Sequence, residues 1–219
     1  MDSRAFVREL NEQNQTVLNR LREQPEPPPC GDKSQAVIRL LKMALKNEME
    51  AFELSARWIE STPEVDVKVG FARQVGDEAK HYRLIAERIQ ELGGDVAGFN
   101  PVTQGYGPLF KYLTTLTGSV ERAAAAQFTR EAIALIKNEQ FIDYLTELGD
   151  AQTARLYRDI IQPDEQYHHE LGRDILEKYA VTPEFQSKAR DAARRTLELA
   201  EELQGVILKS QGISKAPGC

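Results

Sequence analysis

Two of the chain's three histidines stand in near-copies of one frame, Asp77-Glu78-Ala79-Lys80-His81 and Asp164-Glu165-Gln166-Tyr167-His168. On a helix, a Glu and a His three residues apart project from the same face, one turn apart. A single pair of this kind is common on solvated helix faces. Two pairs facing each other across a bundle, joined by one further Glu from each remaining helix, make a site for two iron or two manganese ions. Carboxylates suit these ions because they are hard, anionic and able to switch between terminal and bridging modes, and imidazole adds one neutral nitrogen per metal. Four carboxylates also cancel the charge of two divalent ions. Without metal, such groups crowded in a core repel one another and take up protons.

The two further carboxylates are Glu48 and Glu131, each on the apolar stripe of its own segment. The expected metal ligands are therefore Glu48, Glu78, His81, Glu131, Glu165 and His168. Glu50 and Glu53 turn away from the stripe as a solvated face does, and Glu121 reads as solvated or as an entry-path or accessory carboxylate. Metal-bound imidazole usually donates its other N–H to a carboxylate or carbonyl. Asp77 and Asp164 are the expected partners, either crosswise (Asp77 with His168, Asp164 with His81) or locally, as Asp77 with His81. Tyr82 and Tyr167 neighbour the site as core filling or oxidisable rings. His169 points about 100° away from His168 and reads as a surface residue or a neighbour of the site.

Positioning these residues requires four long helices. The series Val37, Leu41, Ala44, Ala51, Ser55 and Trp58 keeps a three-four spacing, after a start capped by Asp32 or Ser34. Ser61-Thr62-Pro63-Glu64 ends that helix and starts a second, which runs through Phe71, Val75, Tyr82, Ile85 and Ile89 and stops at Gly93-Gly94. A third runs from about Thr117 to Leu148 with an inward stripe of Val120, Ala124, Phe128, Leu135, Ile142 and Leu145. Its Ala123–Ala126 run permits close helix approach. The fourth carries Leu156, Ile160, Ile161, Leu171, Ile175 and Leu176, with Pro163 expected to kink it just before the ligand pair. Residues 95 to about 112 show no sustained periodicity. A helix of ~25 residues is ~38 Å long, and extended chain advances ~3.3 Å per residue, so this connection can travel the whole bundle. It predicts a long crossover, the ferritin-like order, rather than simple up-down-up-down.

Outside the bundle, residues 3 to 23 predict a weak amphipathic helix that frays at its ends and docks late or on a partner. Pro25, Pro27, Pro28 and Pro29 mark a stiff linker. A fifth helix from Pro183 to about Leu208 precedes a loose tail. The expected division is residues 1–31, the bundle at 32–180, and 181–219. At 219 residues, with 41% apolar residues and a formal charge of -6, the chain should build one sizeable core and does not suit a nucleic-acid backbone. It lacks a long apolar run and its first ten residues are polar and mixed, which predicts a cytoplasmic protein without a membrane span. Cys30 and Cys219 are too few and too far apart for a disulfide framework or a cysteine-based metal site.

Residues 35 to 180 resemble the ferritin-like di-iron carboxylate superfamily, and its rubrerythrin-like branch most closely. Ala44-Leu45-Lys46-Asn47-Glu48-Met49-Glu50-Ala51 is similar to that family's opening ligand segment, and the later pairs match its second and last helices. Two departures stand out: Ala134 replaces a third-helix glutamate of rubrerythrins proper, and no four-cysteine rubredoxin-like module is present. The resemblance implies an all-α four-helix bundle with extra terminal helices, two iron ions (manganese as an alternative), and reaction with dioxygen or peroxide. An oxidoreductase would also need an external electron donor and a small organic substrate. The alternatives are a ferroxidase or iron-handling protein, and a non-catalytic helical stress or interaction protein with a structural metal. The incomplete look of the N-terminal helix and of the Trp58-bearing helix predicts a homo-oligomer, at least a dimer.

Overall fold

The computed structural model describes residues 1–23, 33–97, 99–100, 105–211 and 217. The proline-rich linker with Cys30, the candidate cap Asp32, Gly98, Pro101 and nearly all of the tail, Cys219 included, lie outside the described residues. The fold is all-α. Helix α1 spans Ser3–Arg22, α2 Lys33–Ser61, α3 Val65–Glu91 and the short α4 Pro108–Leu113. Helix α5 covers residues 119–148 as an α-turn at Ser119–Ala123, a π-helical stretch at Ala124–Arg130 and an α-helix at Glu131–Leu148. Helix α6 covers residues 151–179 in the same manner, with a π-helical stretch at Tyr157–Ile161 between Ala151–Leu156 and Gln162–Tyr179. Helix α7 is Pro183–Gln211.

Helices α2, α3, α5 and α6 form the bundle. The loop between α2 and α3 is short, so these two are antiparallel neighbours; Pro63 stands just before the Glu64 cap rather than in the first turn. Helix α3 closes at Gly93, whose φ of 82° is the left-handed conformation that glycine adopts without strain. Gly93 N–H then reaches Gln90 O and Gly94 N–H reaches Ile89 O, which satisfies two of the helix's last carbonyls. Gly94 lies against Ile38, near the start of α2. Helix α5 begins at the opposite end, where Ser119 donates to Glu64 and the buried Arg122 guanidinium binds Trp58 O, Thr62 Oγ1 and Ser61 Oγ. The connection therefore crosses the length of the bundle. Glu50 and Glu53, read as solvated, hold its far end: Glu50 accepts the Gly107 N–H at 2.7 Å and Glu53 the Tyr106 hydroxyl at 2.6 Å. Glu121 closes the start of α5 by accepting the Gly118 N–H at 3.0 Å.

The terminal helices join this core. Helix α1 buries Phe6, Val7, Leu10, Asn14, Leu18 and Leu21. Phe6 shares one apolar cluster with Trp58 of α2 and with Ala189, Ala192 and Ala193 of α7. These contacts dock α1 on the bundle and bury Trp58 beside it. The alanine run of α5 meets the alanines of α7 in that same cluster, small side chains on both sides allowing the approach. A second cluster holds Leu41, Ala44, Leu45, Ile85, Phe141, Tyr157 and Ile161. Along α2, the second cluster ends at Leu45 and the first resumes at Leu54, with Glu48 between them. A polar layer therefore divides the apolar core.

The π-helical stretches were not foreseen. Pro163 follows the one in α6, which widens the helix where the proline lacks its N–H and its ring needs room. Some stripe positions also lie off the core-facing register. Ile160 is 36% exposed because it lies in register with Asp164 on the flank of α6, and Tyr157 and Ile161 face inward. In α5 the buried register after Glu131 runs Ala134, Asn138, Phe141 and Leu145, leaving Leu135 only half-buried.

Candidate metal centre

The polar layer brings together all six residues that the sequence picked out. Glu48, Glu78, His81 and Glu165 each place one donor atom within 4.8 Å of the others, and Glu78, Glu131, Glu165 and His168 do the same. Glu78 and Glu165 stand in both groups; Glu48 with His81, and Glu131 with His168, belong to one each. Two four-donor sets sharing two carboxylates are the arrangement of a di-metal carboxylate site. All six side chains are buried, with exposures of 0–1%.

The imidazoles are aimed by the frame itself. His81 Nδ1 faces Glu78 at 3.2 Å and Glu48 at 3.4 Å; His168 Nδ1 faces Glu165 at 3.4 Å and Glu78 at 3.5 Å. On the opposite ring edge, His81 Nε2 meets Asp164 Oδ2 at 3.0 Å and His168 Nε2 meets Asp77 Oδ2 at 3.4 Å. The pairing is crosswise. Each aspartate comes from the helix that does not carry the histidine it holds. Both aspartates are further anchored by Lys80, and Asp77 also accepts from Arg73. With Nε2 committed to an aspartate, Nδ1 is the nitrogen left to bind a metal.

Of the tyrosines, Tyr167 sets its ring edge against His168, 6.0 Å between centroids, under the Arg73 guanidinium at 3.2 Å. Tyr82 packs edge-on against Phe52. His169 is an inter-helix tie: its Nδ1 bonds Phe128 O at 2.8 Å, within the π-helical stretch, and its ring stacks on Phe128.

Several groups around the site had no place in the sequence reading. Gln74, one turn before Glu78, donates from Nε2 to Glu78 Oε1 at 3.0 Å and to Glu131 Oε1 at 2.9 Å. Its Oε1 accepts from Gln127 at 2.9 Å and from Ser55 at 3.3 Å. The only available signal was a glutamine on an apolar stripe at the spacing of the ligand itself. Arg130, buried, reaches Asn47 O.

The electrostatics are those of a site short of positive charge. Burial pushes Glu48 up to about 7, the His81 imidazole opposing the shift. Burial likewise raises Glu131, against Arg130, and raises Glu165 well above its usual range, with Glu78 and Glu131 adding to the shift. Burial also works to raise Glu78, but His168, His81 and Arg130 outweigh it and hold its carboxyl below the ordinary range. Burial disfavours charge on His81, yet Glu48 and Glu78 push it up to about 12; His168 is raised for the same reason by Glu78, Asp77 and Glu165. Protons thus hold the place of cations among the carboxylates. Glu131 Oε2 and Glu165 Oε1 are buried without a hydrogen-bond partner, a costly state that a metal relieves. Hard oxygens, two inward nitrogens and orphaned carboxylate atoms fit a pair of iron or manganese ions.

The sequence pattern of the family described as "Protein of unknown function (DUF455)" matches residues 10–200. The chain belongs to this family. The matched stretch takes in the whole bundle and all six residues of the polar layer. The chain is also similar to a protein of Desulfovibrio desulfuricans named "Bacterioferritin", 32% identical over 118 residues, 49% of this chain. It spans 60% of that relative's length. No solved structure matches. The site and this similarity together support a ferritin-like, di-iron-binding fold. No helix among the described residues is long and apolar enough to cross a membrane.

Proposed function

We propose that this DUF455 protein is a di-iron carboxylate oxidoreductase that reacts with dioxygen or peroxide. The observation that carries the reading is the six-residue buried layer, with both imidazoles aimed inward by crosswise aspartates. Glu78 and Glu165, present in both donor sets, would be shared by the two ions, and Glu48 with His81 would hold one ion while Glu131 with His168 would hold the other. A bound iron pair supplies electrons and open coordination positions for reducing dioxygen or peroxide. The chain's own part is to gather the carboxylates in one buried layer, keep both histidines in one orientation through Asp77 and Asp164, and exclude water with the apolar clusters above and below the layer. An external electron donor and a small organic substrate complete the reading; manganese is the alternative metal.

A ferroxidase or iron-handling role is the second reading, favoured by the similarity to the protein named Bacterioferritin. Metal analysis of the aerobically purified protein, alongside Glu78→Ala and Glu165→Ala, tests the centre on which both depend. Two equivalents of iron or manganese in the wild type and under half an equivalent in the variants are expected. Less than about one equivalent, unchanged by either substitution, refutes the metal centre and leaves a non-catalytic helical protein. Excess ferrous iron in air separates the two roles. Oxidation that stops near two equivalents supports the oxidoreductase, and continued turnover with iron retained supports the ferroxidase.

A further inference from the structure

The Gln74 amide is saturated. An amide offers two N–H donors and an oxygen with two lone pairs, and all four are engaged by groups on three helices: Ser55 of α2, Glu78 of its own α3, and Gln127 and Glu131 of α5. Its orientation is fixed by chemistry, because the reverse placement would set the amide oxygen against two carboxylates. Both carboxylates it grips belong to the donor set that contains His168. Glu131 is held by Oε1, and Oε2 is buried without a hydrogen bond.

In the other half of the site the corresponding positions carry no amide. The frame repeats between Glu78 and Glu165, and the residue one turn before Glu165 is Ile161, where Gln74 stands before Glu78. One turn before Glu48 is Ala44, where Gln127 stands before Glu131. Both counterparts are apolar and lie in the second apolar cluster. The duplicated frame thus carries an amide clamp on one side only.

We propose that Gln74 is a positioning residue that makes the two metal positions inequivalent: by clamping Glu78 and Glu131 it preorganises the position beside His168, which fills first and more tightly than the one beside His81. The proposal rests on the di-metal reading. Glu131 enters that position through Oε2 alone, since Oε1 is committed to the amide. Freezing two long side chains in advance removes an ordering cost that metal binding would otherwise bear, on the order of tenfold in affinity or more. The position beside His81 shares only Glu78 of the clamped pair.

Stepwise titration of the metal-free protein with Mn(II), read by electron paramagnetic resonance, tests this in the wild type and in Gln74→Leu. A crystal soaked with one equivalent of Mn(II) supplies the anomalous signal that assigns the first site. Expected are a first ion beside His168, a tight step weakened about tenfold or more in Gln74→Leu, and the other step within about threefold of wild type. Ser55→Ala and Gln127→Met, which remove the supports of the amide oxygen and leave Gln74 in place, should weaken the same step to a smaller degree. A first ion beside His81, an even division, or two steps that stay put or fall together in Gln74→Leu overturns the proposal while the di-metal reading stands. A wild type that takes up less than one equivalent overturns both.

Discussion

Three helical glycines provide a graded test of how closely α5 and α6 approach. A Cβ on Gly172 would lie 2.4 Å from Phe128 N and 2.7 Å from Gln127 C, both backbone atoms of the π-helical stretch. Ordinary contact begins near 3.4 Å, so the helices would have to part by roughly 1 Å. Overpacking of this kind costs about 1–3 kcal/mol, and backbone atoms place it at the upper end. The gain in helix propensity from Gly to Ala offsets about 1 kcal/mol. Gly172→Ala should therefore lose about 2 kcal/mol, a fall of ~4–8 °C in Tm at this chain length. At Gly70 the added Cβ meets the Leu171 side chain at 2.7 Å. A rotamer change there costs about 0.5–1.5 kcal/mol, which nearly cancels the propensity gain, so Tm should hardly move. Gly76 has nothing within 4 Å, and Gly76→Ala should gain about 1 kcal/mol, or ~2–4 °C. The assay is thermal unfolding followed by circular dichroism, in chelator throughout so that metal linkage is constant. The expected order is Gly76→Ala, then wild type with Gly70→Ala, then Gly172→Ala. A Gly172→Ala protein as stable as Gly70→Ala would refute the close approach of Gly172 to the π-helical backbone.

Asp77→Asn should weaken metal binding about 10–100-fold and shift the ring resonances of His168 rather than those of His81. Asp164→Asn should do the reverse, because the pairs are crosswise; a shift confined to the histidine of the same helix would sink that pairing. Metal binding near pH 7 should release protons, about one from each imidazole and more from the carboxyls. Burial disfavours charge on His81, but Glu48 and Glu78 hold it up at about 12, while burial puts Glu48 at about 7 and Glu165 well above its usual range. Affinity should accordingly fall as pH falls. Calorimetry at one pH in two buffers of different ionisation enthalpy measures the release, and identical apparent enthalpies would contradict this protonation pattern.

Much of the fold was legible because burial follows periodicity. Val37, Leu41, Ala44, Ala51, Ser55 and Trp58 are all buried, as their spacing demands. The doubled frame announced the polar layer because a Glu on an apolar stripe has no cheap structural explanation. What was not legible depends on geometry between helices. The π-helical stretches leave no signature in residue type, and Ile160 lies in register with Asp164 rather than with Glu165. Gln74 looks like any polar residue until Ser55, Gln127 and Glu131 are brought to it from other helices. Glu50 and Glu53 resembled solvated charges because their partners, Gly107 and Tyr106, lie in a connection without periodicity. Helix α1 looked incomplete because its apolar stripe is narrow, and its cover, α5 to α7, is remote in sequence.

The crosswise aspartates carry one more consequence. A contact in which residue i of one unit meets residue j of another, while j of the first meets i of the second, is the rule of an isologous two-fold interface. Asp77 with His168 and Asp164 with His81 obey that rule inside a single chain, so the bundle is built like a dimer of helical hairpins fused end to end. Neither hairpin supplies the aspartate that holds its own imidazole. A slip of one helical turn between the hairpins would strip both histidines of their aspartates at once, so the layer acts as a lock on register as well as a seat for metal. The amide of Gln74, present in one hairpin and replaced by Ile161 in the other, is where that symmetry has been given up.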